Sequence, residues 1–376
     1  MSEKCIDFFC CNTGEILFYL PISKHLPNAK FVVLDSRYDS QRTKTFLEKH
    51  GIQYSTNPSE NVGLVITTQT KVEPWTLDFW RNAPKIRLMY TLCEKNKMHQ
   101  RIMCDPFHTV LVPGPYSHKL ISKYTKSKMI GYPRFDDFFN IKTKKEDVFS
   151  ELNITIDENK KTLLYLPTFT QYNRSSAPDY LQAIKDLSSN YNVLFKPHIY
   201  SDYWEKELIE SYESGGIQLI HSMIGLDKLF LIADVTICDY QSGVPWECVI
   251  TDTPFVVCLN KSGIPPKNLE KILLHNKIAP TVRKPEQMKN AIEECLKNHI
   301  KYTNKRTFWA QEICINRNGT SGINASQVLN NILSKSKRLT DQEADVLYSH
   351  VKPKKPSRLN EVMNKLNATI QNYLYL

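Results

Sequence analysis

The chain has 376 residues, which is too long for one hydrophobic core and predicts two domains. Its content of 41% hydrophobic and 23% charged residues is typical of a soluble globular protein and excludes a disordered chain. The formal net charge of +10 predicts an acidic partner. Because no basic run is interleaved with aromatic residues, an anionic lipid or a phosphorylated substrate fits better than nucleic acid.

The first 140 residues alternate strand-like and helix-like segments. Strands are predicted over residues 6–11, 30–35, 63–68, 86–92 and 109–112, and helices over about 13–25, 40–50 and 117–124. This alternation predicts a parallel sheet with right-handed crossovers. The half lacks the G-x-G-x-x-G fingerprint, so a nicotinamide dinucleotide is not the predicted ligand.

A polar and charged stretch between Phe139 and Lys161 separates this half from a second one, and we place a domain boundary there. The second half is predicted to have strands over 162–166, 193–196, 217–220, 235–238 and 255–259, and helices over 179–190, 204–214, 225–232, 244–251 and 285–298. The predicted fold is α/β, with two Rossmann-like, doubly wound domains facing across a cleft. They are residues 1–140 and 141–334.

The ten cysteines indicate a reducing compartment rather than a disulfide framework. Several lie inside apolar runs, and none forms a C-x-x-C pair, so buried free thiols are predicted instead of bridges or a zinc site. No apolar run is long enough to span a bilayer, and the first four residues lead into a strand-like run instead of a signal peptide. We therefore expect a cytoplasmic protein.

The most informative stretch is the polar turn Asp239-Tyr240-Gln241-Ser242-Gly243, which follows a buried strand and precedes a helix with Pro245 in its first turn. A turn in this position lies at the carboxyl edge of the sheet, where open α/β sheets bind ligands and a helix N-terminus suits a phosphate.

Three residues near that turn suit a nucleotide diphosphate. Ser242 offers a hydroxyl donor, Gly243 lets the backbone approach the ligand closely, and Glu247 is placed to accept hydrogen bonds from ribose hydroxyls. The alternative is an ordinary crossover helix with Ser242 as its N-cap and Glu247 on a solvated face.

Residues 335–376 form a predicted tail of a different kind. A basic, proline-interrupted stretch up to Arg358 is followed by apolar residues at three- and four-residue intervals between Leu359 and Tyr373. A basic stretch beside an amphipathic helix predicts peripheral docking on an anionic membrane surface. The alternative is a helix that packs on its own domain or on a partner subunit.

Four motifs together are similar to those of the CDP-glycerol glycerophosphotransferases, the teichoic-acid and capsule enzymes of bacteria. In chain order the motifs are Gly131-Tyr132-Pro133-Arg134-Phe135-Asp136, Tyr165-Leu166-Pro167-Thr168-Phe169, Lys196-Pro197-His198 and Ala233-Asp234 with Asp239-Tyr240-Gln241-Ser242 and Pro254. The resemblance implies a GT-B-like fold with an N-terminal acceptor domain and a C-terminal nucleotide-donor domain. It also implies docking on the inner face of the cytoplasmic membrane.

The resemblance further implies a donor, a reaction and site residues. The donor would be a CDP-linked polyol, whose polyol phosphate passes to an acceptor hydroxyl with release of CMP. His198 would lie in the donor-phosphate site, the turn from Asp239 to Gly243 would be the phosphate-binding loop, and Thr168 would supply a strand-end hydroxyl. Arg134, in the first motif, joins the predicted substrate-binding set.

Position and chemistry also favour His198. It follows the predicted strand 193–196 at the edge that faces the cleft, where an imidazolium or an N–H donor would stabilise the leaving phosphate. Lys196 is a second candidate cation, and the alternative for both is a structural role.

The chain departs from the family pattern in the first domain. The family usually carries a His-Gly motif after the strand that matches 86–92, and its histidine is the expected acceptor base. Here that place holds no histidine, and Glu94 and His99 are the substitutes that could accept the hydroxyl proton. The alternative is a helix-start role for Glu94 and a surface role for His99.

Three functions remain open on the sequence alone. They are a membrane-associated CDP-polyol phosphotransferase of teichoic-acid-like or capsular polymer synthesis, a GT-B glycosyltransferase using a nucleotide sugar, and a catalytically degenerate scaffold that binds a nucleotide or polymer. The acceptor would be a phosphopolymer or a lipid-linked molecule. No resident cofactor is predicted, although Mg²⁺ on the donor diphosphate and a homo-oligomer remain open alternatives.

Overall fold

The structure, a computed structural model, describes residues 4–35, 39–69, 72–92, 104, 106–140, 144–170, 175–199, 201, 205–215, 217–220, 224–259, 269–275, 277–349 and 351. Two parallel β-sheets of seven and six strands form its framework. The prediction of two α/β domains is therefore confirmed. None of the helices within these ranges is long and apolar enough to cross a membrane.

The first sheet has the strand order β3-β2-β1-β4-β5-β6-β7, and its neighbouring strands are parallel. Helices cover both faces of such a sheet, so its central strands are almost wholly buried, including the charged side chains of Asp7, Lys85 and Arg87. The strands are β1 (Cys5–Phe9), β2 (Ala29–Val32), β3 (Tyr54–Ser55), β4 (Val62–Thr67), β5 (Lys85–Leu88), β6 (Thr109–Val112) and β7 (Ser127–Met129). The strand order reverses between β1 and β4, which places a crevice at their carboxyl ends.

Asn12 shows how the sequence starts the first helix, because its side chain accepts a hydrogen bond from the backbone N–H of Glu15 at 3.3 Å. The helices of the first domain are α1 (Thr13–Ser23), α2 (Ser40–Lys49), α3 (Pro74–Trp80), α4 (Pro115–Ile121), a 3₁₀ turn (Pro133–Phe135) and α5 (Asp136–Asn140).

The second sheet has the strand order β10-β9-β8-β11-β12-β13, again with parallel neighbours. Its strands are β8 (Thr162–Leu166), β9 (Asn192–Phe195), β10 (Gln218–Leu219), β11 (Val235–Asp239), β12 (Phe255–Cys258) and β13 (Thr281–Val282). Here the order reverses between β8 and β11, so the second crevice lies at the carboxyl ends of these two strands.

The helices of the second domain precede, connect and follow these strands. They are α6 (Lys145–Glu151), α7 (Ala177–Leu187), α8 (Lys206–Glu213), α9 (Leu226–Ile232), α10 (Val244–Thr251), α11 (Leu269–His275), a 3₁₀ turn (Pro285–Gln287) and α12 (Met288–Lys297). The predicted helix over 285–298 thus begins as a 3₁₀ turn. The nine cysteines that the structure describes are free thiols, and most are buried.

Three further helices follow the second domain: α13 (His299–Ile313), α14 (Ser321–Lys335) and α15 (Asp341–Leu347). Helix α13 packs against α10, where the buried Arg306 donates a hydrogen bond from Nε to Oδ1 of Asp252 at 2.7 Å. Helix α14 returns to the first domain and packs on α1. Residues within the predicted second domain therefore contribute to the first, and the C-terminal part of the chain joins the two domains.

Helix α15 also belongs to the first domain. Ala344 is fully buried and Tyr348 nearly so, and the buried Lys85 donates from Nζ to the Tyr348 hydroxyl at 3.1 Å and to the Trp80 carbonyl at 2.6 Å. The predicted tail thus begins as part of the folded first domain. Its predicted amphipathic helix after Leu359 lies outside the described residues.

Candidate functional site

The carboxyl ends of three adjacent strands, β9, β8 and β11, bring most of the predicted donor-site residues together. His198 follows β9, Thr168 follows β8, and the turn from Asp239 to Gly243 follows β11. Neighbouring strands lie about 4.8 Å apart, so the three strand ends span roughly 10 Å. They meet at the order reversal between β8 and β11, which is where an open α/β sheet forms its ligand crevice.

The Asp239 side chain holds the segment that follows β8, which is called the β8 loop below. Its fully buried carboxylate accepts hydrogen bonds from the backbone N–H of Thr168 at 2.8 Å and from that of Ser176 at 3.1 Å. Burial raises the pKa of Asp239 to about 7, and the hydrogen bonds from Ser176, Thr168 and Ser175 oppose that rise. Asp239 therefore positions the β8 loop, and this geometry does not leave its carboxylate facing a ligand.

The N-terminal end of α10 has an open approach. The Ser242 hydroxyl accepts a hydrogen bond from the backbone N–H of Val244 at 3.2 Å, as a capping residue does. Gly243 has φ −76° and ψ −22°, which any residue can adopt, and a Cβ added there would have no heavy atom within 4 Å. Open space, rather than backbone conformation, is thus the distinguishing feature of Gly243.

The turn from Asp239 to Gly243 makes a corner after β11, and Tyr240 and Gln241 form its side. Tyr240 is 3% exposed and accepts a hydrogen bond on its hydroxyl from Nε2 of Gln241 at 2.6 Å. The other amide atom, Oε1 of Gln241, is buried and has no partner among the described residues. A buried acceptor without a partner is uncommon in folded proteins and is a feature that a ligand can explain.

Glu247 joins the two domains one helical turn beyond the corner. Its Oε1 atom accepts hydrogen bonds from the Tyr132 hydroxyl at 3.0 Å and from Arg134 NH1 at 3.3 Å, both of the first domain. Glu247 is only 5% exposed, so the alternative that it lies on a solvated face is wrong. The corner after β11 therefore borders the gap between the domains.

Arg134 is held in its charged form at this gap. Burial lowers its pKa, but the Glu247 carboxylate, Tyr132 and Asp227 outweigh that effect, and the net pKa is raised. The guanidinium lies 5.6 Å from the centre of the Phe18 ring, and its buried Nε has no partner among the described residues. A permanent cation with an unused donor thus stands beside the corner.

The motif around Arg134 builds the domain junction. Gly131 has φ +88°, and a Cβ there would lie 2.3 Å from the Ser321 hydroxyl, which accepts a hydrogen bond from the Tyr132 backbone N–H at 3.1 Å. Asp136 accepts from the backbone N–H of Ser321 at 3.0 Å, at the start of α14. This single segment therefore ties both α10 and α14 to the first domain.

His198 lies at the strand-end edge and not in a core. Its ring is partly exposed and packs against Phe169 with 4.9 Å between ring centres. Lys196, two residues earlier, is 9% exposed. The Phe169 contact holds the imidazole beside the segment that follows β8.

Glu94 and His99, the predicted acceptor bases, lie outside the described residues. The crevice of the first sheet instead holds Glu15, whose carboxylate accepts from the Cys11 backbone N–H and the Thr68 hydroxyl, both at 2.6 Å. Sequence reasoning missed Glu15 and Thr68. Glu15 lies in the first turn of the helix that the sequence predicts over about 13–25, but the pairing of β1 with β4 was needed to bring Thr68 there.

The described residues contain no group of three or more His, Cys, Asp or Glu side chains that could hold a metal ion. Around the corner, the Asp239 and Glu247 carboxylates already accept hydrogen bonds from protein groups, whereas Nε of the Arg134 cation has no partner among the described residues. The described part of the site suits an anion such as a diphosphate.

Solved structures with this architecture include proteins bound to nucleotide sugars. The wall teichoic acid polymerase TagF has a TM-score of 0.57 at 15% identity, with 88% of this chain and 89% of that chain covered. UDP-GlcNAc 2-epimerase from Neisseria meningitidis bound to UDP-GlcNAc has a TM-score of 0.56 at 14% identity, with coverages of 89% and 100%. Anabaena HepE with UDP-glucose has a TM-score of 0.54 at 12% identity, again covering 89% and 100%. These likenesses show the shared GT-B-like fold.

No curated protein matches the chain at a significant level. A family model does match, over residues 94–334, which is more than half of the chain. The matched range includes every residue of the corner after β11, the Arg134 motif and His198. The chain belongs to the CDP-glycerol:poly(glycerophosphate) glycerophosphotransferase family.

Proposed function

We propose that the protein transfers glycerol phosphate from CDP-glycerol to an acceptor hydroxyl in the synthesis of a teichoic-acid-like or capsular polymer. The observation that carries the proposal is the placement of the corner after β11. It lies at the β8–β11 crevice and borders the interdomain gap through the contacts of Glu247 with Tyr132 and Arg134. A donor held there is presented to an acceptor on the first domain.

The donor diphosphate is assigned to the open N-terminal end of α10. Ser242 and the backbone at Gly243 approach the phosphates, the Thr168 hydroxyl binds at the end of β8, and Lys196 adds positive charge. Two buried atoms without partners among the described residues, Arg134 Nε and Gln241 Oε1, would gain partners from a polar ligand. Glu247 would contact the ribose through Oε2, since Oε1 already holds Tyr132 and Arg134.

The chemical step is a displacement at the phosphorus that carries glycerol. The acceptor hydroxyl oxygen forms a bond to this phosphorus, and the bond to the bridging diphosphate oxygen breaks. CMP leaves with that electron pair, and the hydroxyl proton passes to a base. Such transfers depend on positioning and charge neutralisation. His198 stabilises the charge on the leaving phosphate through an N–H donor, and no resident metal is included.

The acceptor base belongs to the first domain. Glu94 and His99 are the candidates from the sequence, whereas the carboxylate of Glu15 is buried and already accepts hydrogen bonds from the Cys11 backbone N–H and the Thr68 hydroxyl. A base on this side faces a donor held by the second domain.

The donor identity can be tested with purified protein. We expect CDP-glycerol to raise the melting temperature and to release CMP in the presence of a glycerol phosphate primer. UDP-glucose and UDP-GlcNAc are the matched comparisons, because proteins with the same fold and similar TM-scores are bound to them. UDP release from either would support a glycosyltransferase instead. Binding of CDP-glycerol without any turnover would support a degenerate scaffold.

We also propose peripheral attachment of the protein to the inner face of the cytoplasmic membrane through its basic C-terminal tail. Truncation after Val351 keeps the buried Ala344 and Tyr348 in place, whereas truncation after Lys335 would remove them from the first domain's core. We expect the chain ending at Val351 to retain its melting temperature and to lose binding to phosphatidylglycerol vesicles in a flotation assay. Undiminished flotation would contradict this role.

A further inference from the structure

A cavity of about 700 Å³ lies on the first domain, at the edge of the sheet opposite the interdomain site. Thr109 and Ser127, the first residues of β6 and β7, line it, whereas the residues facing the gap follow the last residues of their strands. Parallel strands place all their amino ends at one edge. This edge cavity is therefore separate from the donor crevice, and its volume suits a ligand larger than a single phosphate.

The lining of the edge cavity is strongly basic. Lys123, Lys126, Lys128 and Lys335 contribute ammonium groups from three different segments, and His108 and His118 add two imidazoles. None of the lining residues, all of which the structure describes, is an Asp or a Glu. The cavity consequently attracts anions and offers no internal counter-charge to the lysines.

Hydrogen-bond donors lie deeper than the lysines. Ser127 is 9% exposed, and its hydroxyl is 2.8 Å from Nδ1 of His118. If Ser127 donates, the His118 ring keeps an N–H at Nε2. If the ring donates, the Ser127 hydroxyl hydrogen stays available. Either tautomer thus leaves one donor in this pair for a ligand.

The surroundings of His108 agree with a positive potential. Burial lowers the pKa of His108, and the nearby Lys126 ammonium lowers it further. Lys335 stands in the last turn of α14, where it also offsets the partial negative charge of the helix C-terminus.

We propose that the edge cavity is a second, non-catalytic site that binds the phosphodiester groups of the acceptor polymer. The lysines pair with successive phosphates at the rim, and the His118–Ser127 pair donates to a phosphate that enters the cavity. Such a site keeps a growing chain on the enzyme between transfers. The identity of the polymer rests on the proposed function.

A soluble polymer fits this cavity better than a bilayer surface does. Stable membrane docking combines basic charge with apolar side chains that insert between lipids. The lining contains Ile332 and Tyr124 as its large apolar or aromatic residues, and both stand among hydroxyls and amines. The donors on Ser127 and His118 lie in a concavity that a flat headgroup layer does not enter, whereas a flexible phosphodiester chain does.

The test compares two triple variants of the full chain with equal net charge. The cavity variant carries Lys123→Gln, Lys126→Gln and Lys128→Gln, and the control variant carries Lys30→Gln, Lys49→Gln and Lys289→Gln. All six lysines are exposed, so both variants are expected to fold. Binding of a fluorescent glycerol phosphate oligomer is measured by anisotropy at several salt concentrations, together with flotation on phosphatidylglycerol vesicles and the thermal shift with CDP-glycerol.

We expect the cavity variant to bind the oligomer at least tenfold more weakly than the control variant does. The slope of its log affinity against log salt should become shallower by about 2, since three phosphate contacts are lost. Equal weakening in both variants would overturn the site, and loss of vesicle binding with intact oligomer binding would assign the cavity to the membrane. The thermal shift with CDP-glycerol reports donor binding. If it is unchanged in these variants, either of the two outcomes concerns the edge cavity and leaves the proposed function intact.

Discussion

Replacement of His198 by alanine is expected to lower the rate of CMP release from CDP-glycerol by about two to three orders of magnitude, which is the usual cost of removing one preorganised donor from a developing negative charge. The imidazole is held against Phe169 at the end of β9, beside the loop that Asp239 fixes. A donor fixed in this way stabilises the leaving phosphate without reorganising. The rate is measured at saturating CDP-glycerol, so that weaker binding does not contribute.

His50 provides the matched control for this substitution. Its ring also packs on a phenylalanine, Phe46, with 4.2 Å between ring centres, but at the exposed end of α2. His50→Ala removes the same type of ring contact and should leave the rate unchanged. His198→Gln keeps a neutral N–H donor and should recover part of the rate. Full activity of His198→Ala, in protein with a native melting temperature, would remove His198 from the mechanism.

The central elements were predicted well because the hydrophobic pattern of each lies within one short stretch of the chain. Strands β6 and β8 and helix α10 have the predicted bounds, since apolar runs between turn residues mark buried parallel strands. The missed strands β3, β7 and β13 have two or three residues each and lie near or at the sheet edges. A segment of two or three residues is too short to show the hydrophobic alternation of a strand. It becomes a strand only through its hydrogen bonds to the neighbouring strand.

Helix α13 was missed for a different reason. Its apolar residues do not form one stripe: Ile300 is 84% exposed and Phe308 57%, while the charged Arg306 is fully buried. The partner of Arg306 is Asp252, which lies 54 residues away in the chain. The buried stripe of the helix, Tyr302, Arg306, Ala310 and Ile313, therefore contains a charged residue, and the apolar pattern of the sequence does not reveal it.

The site was predicted in part. Strand ends could be located from the sequence, so His198, Thr168 and the corner after β11 were expected at one edge, where the structure places them. The roles of Asp239 and Glu247 depend on contacts between residues 63 to 115 positions apart, with Ser176, Thr168, Tyr132 and Arg134. The sequence placed Asp239 in the ligand-binding loop. In the structure its buried carboxylate accepts hydrogen bonds from two backbone N–H groups and so supports the β8 loop.

Replacement of Gly243 by tryptophan is expected to weaken donor binding at least tenfold without unfolding the protein. The backbone of Gly243 is in the right-handed helical region, and nothing lies within 4 Å of an added Cβ. A side chain there occupies the space through which the proposed diphosphate reaches the N-terminal end of α10. We expect the affinity for CDP-glycerol to fall at least tenfold, while the free energy of unfolding changes by less than about 1 kcal/mol.

Gly243→Ala is the graded control at the same position. It removes the same backbone freedom from the unfolded chain but fills little of the approach, so it should keep the melting temperature and lose only a small part of the affinity. Isothermal titration with CDP-glycerol and a denaturant curve measure the two effects separately. If the tryptophan variant bound CDP-glycerol as well as the alanine variant did, the end of α10 would be an ordinary helix start, and the diphosphate would have to lie elsewhere along the gap.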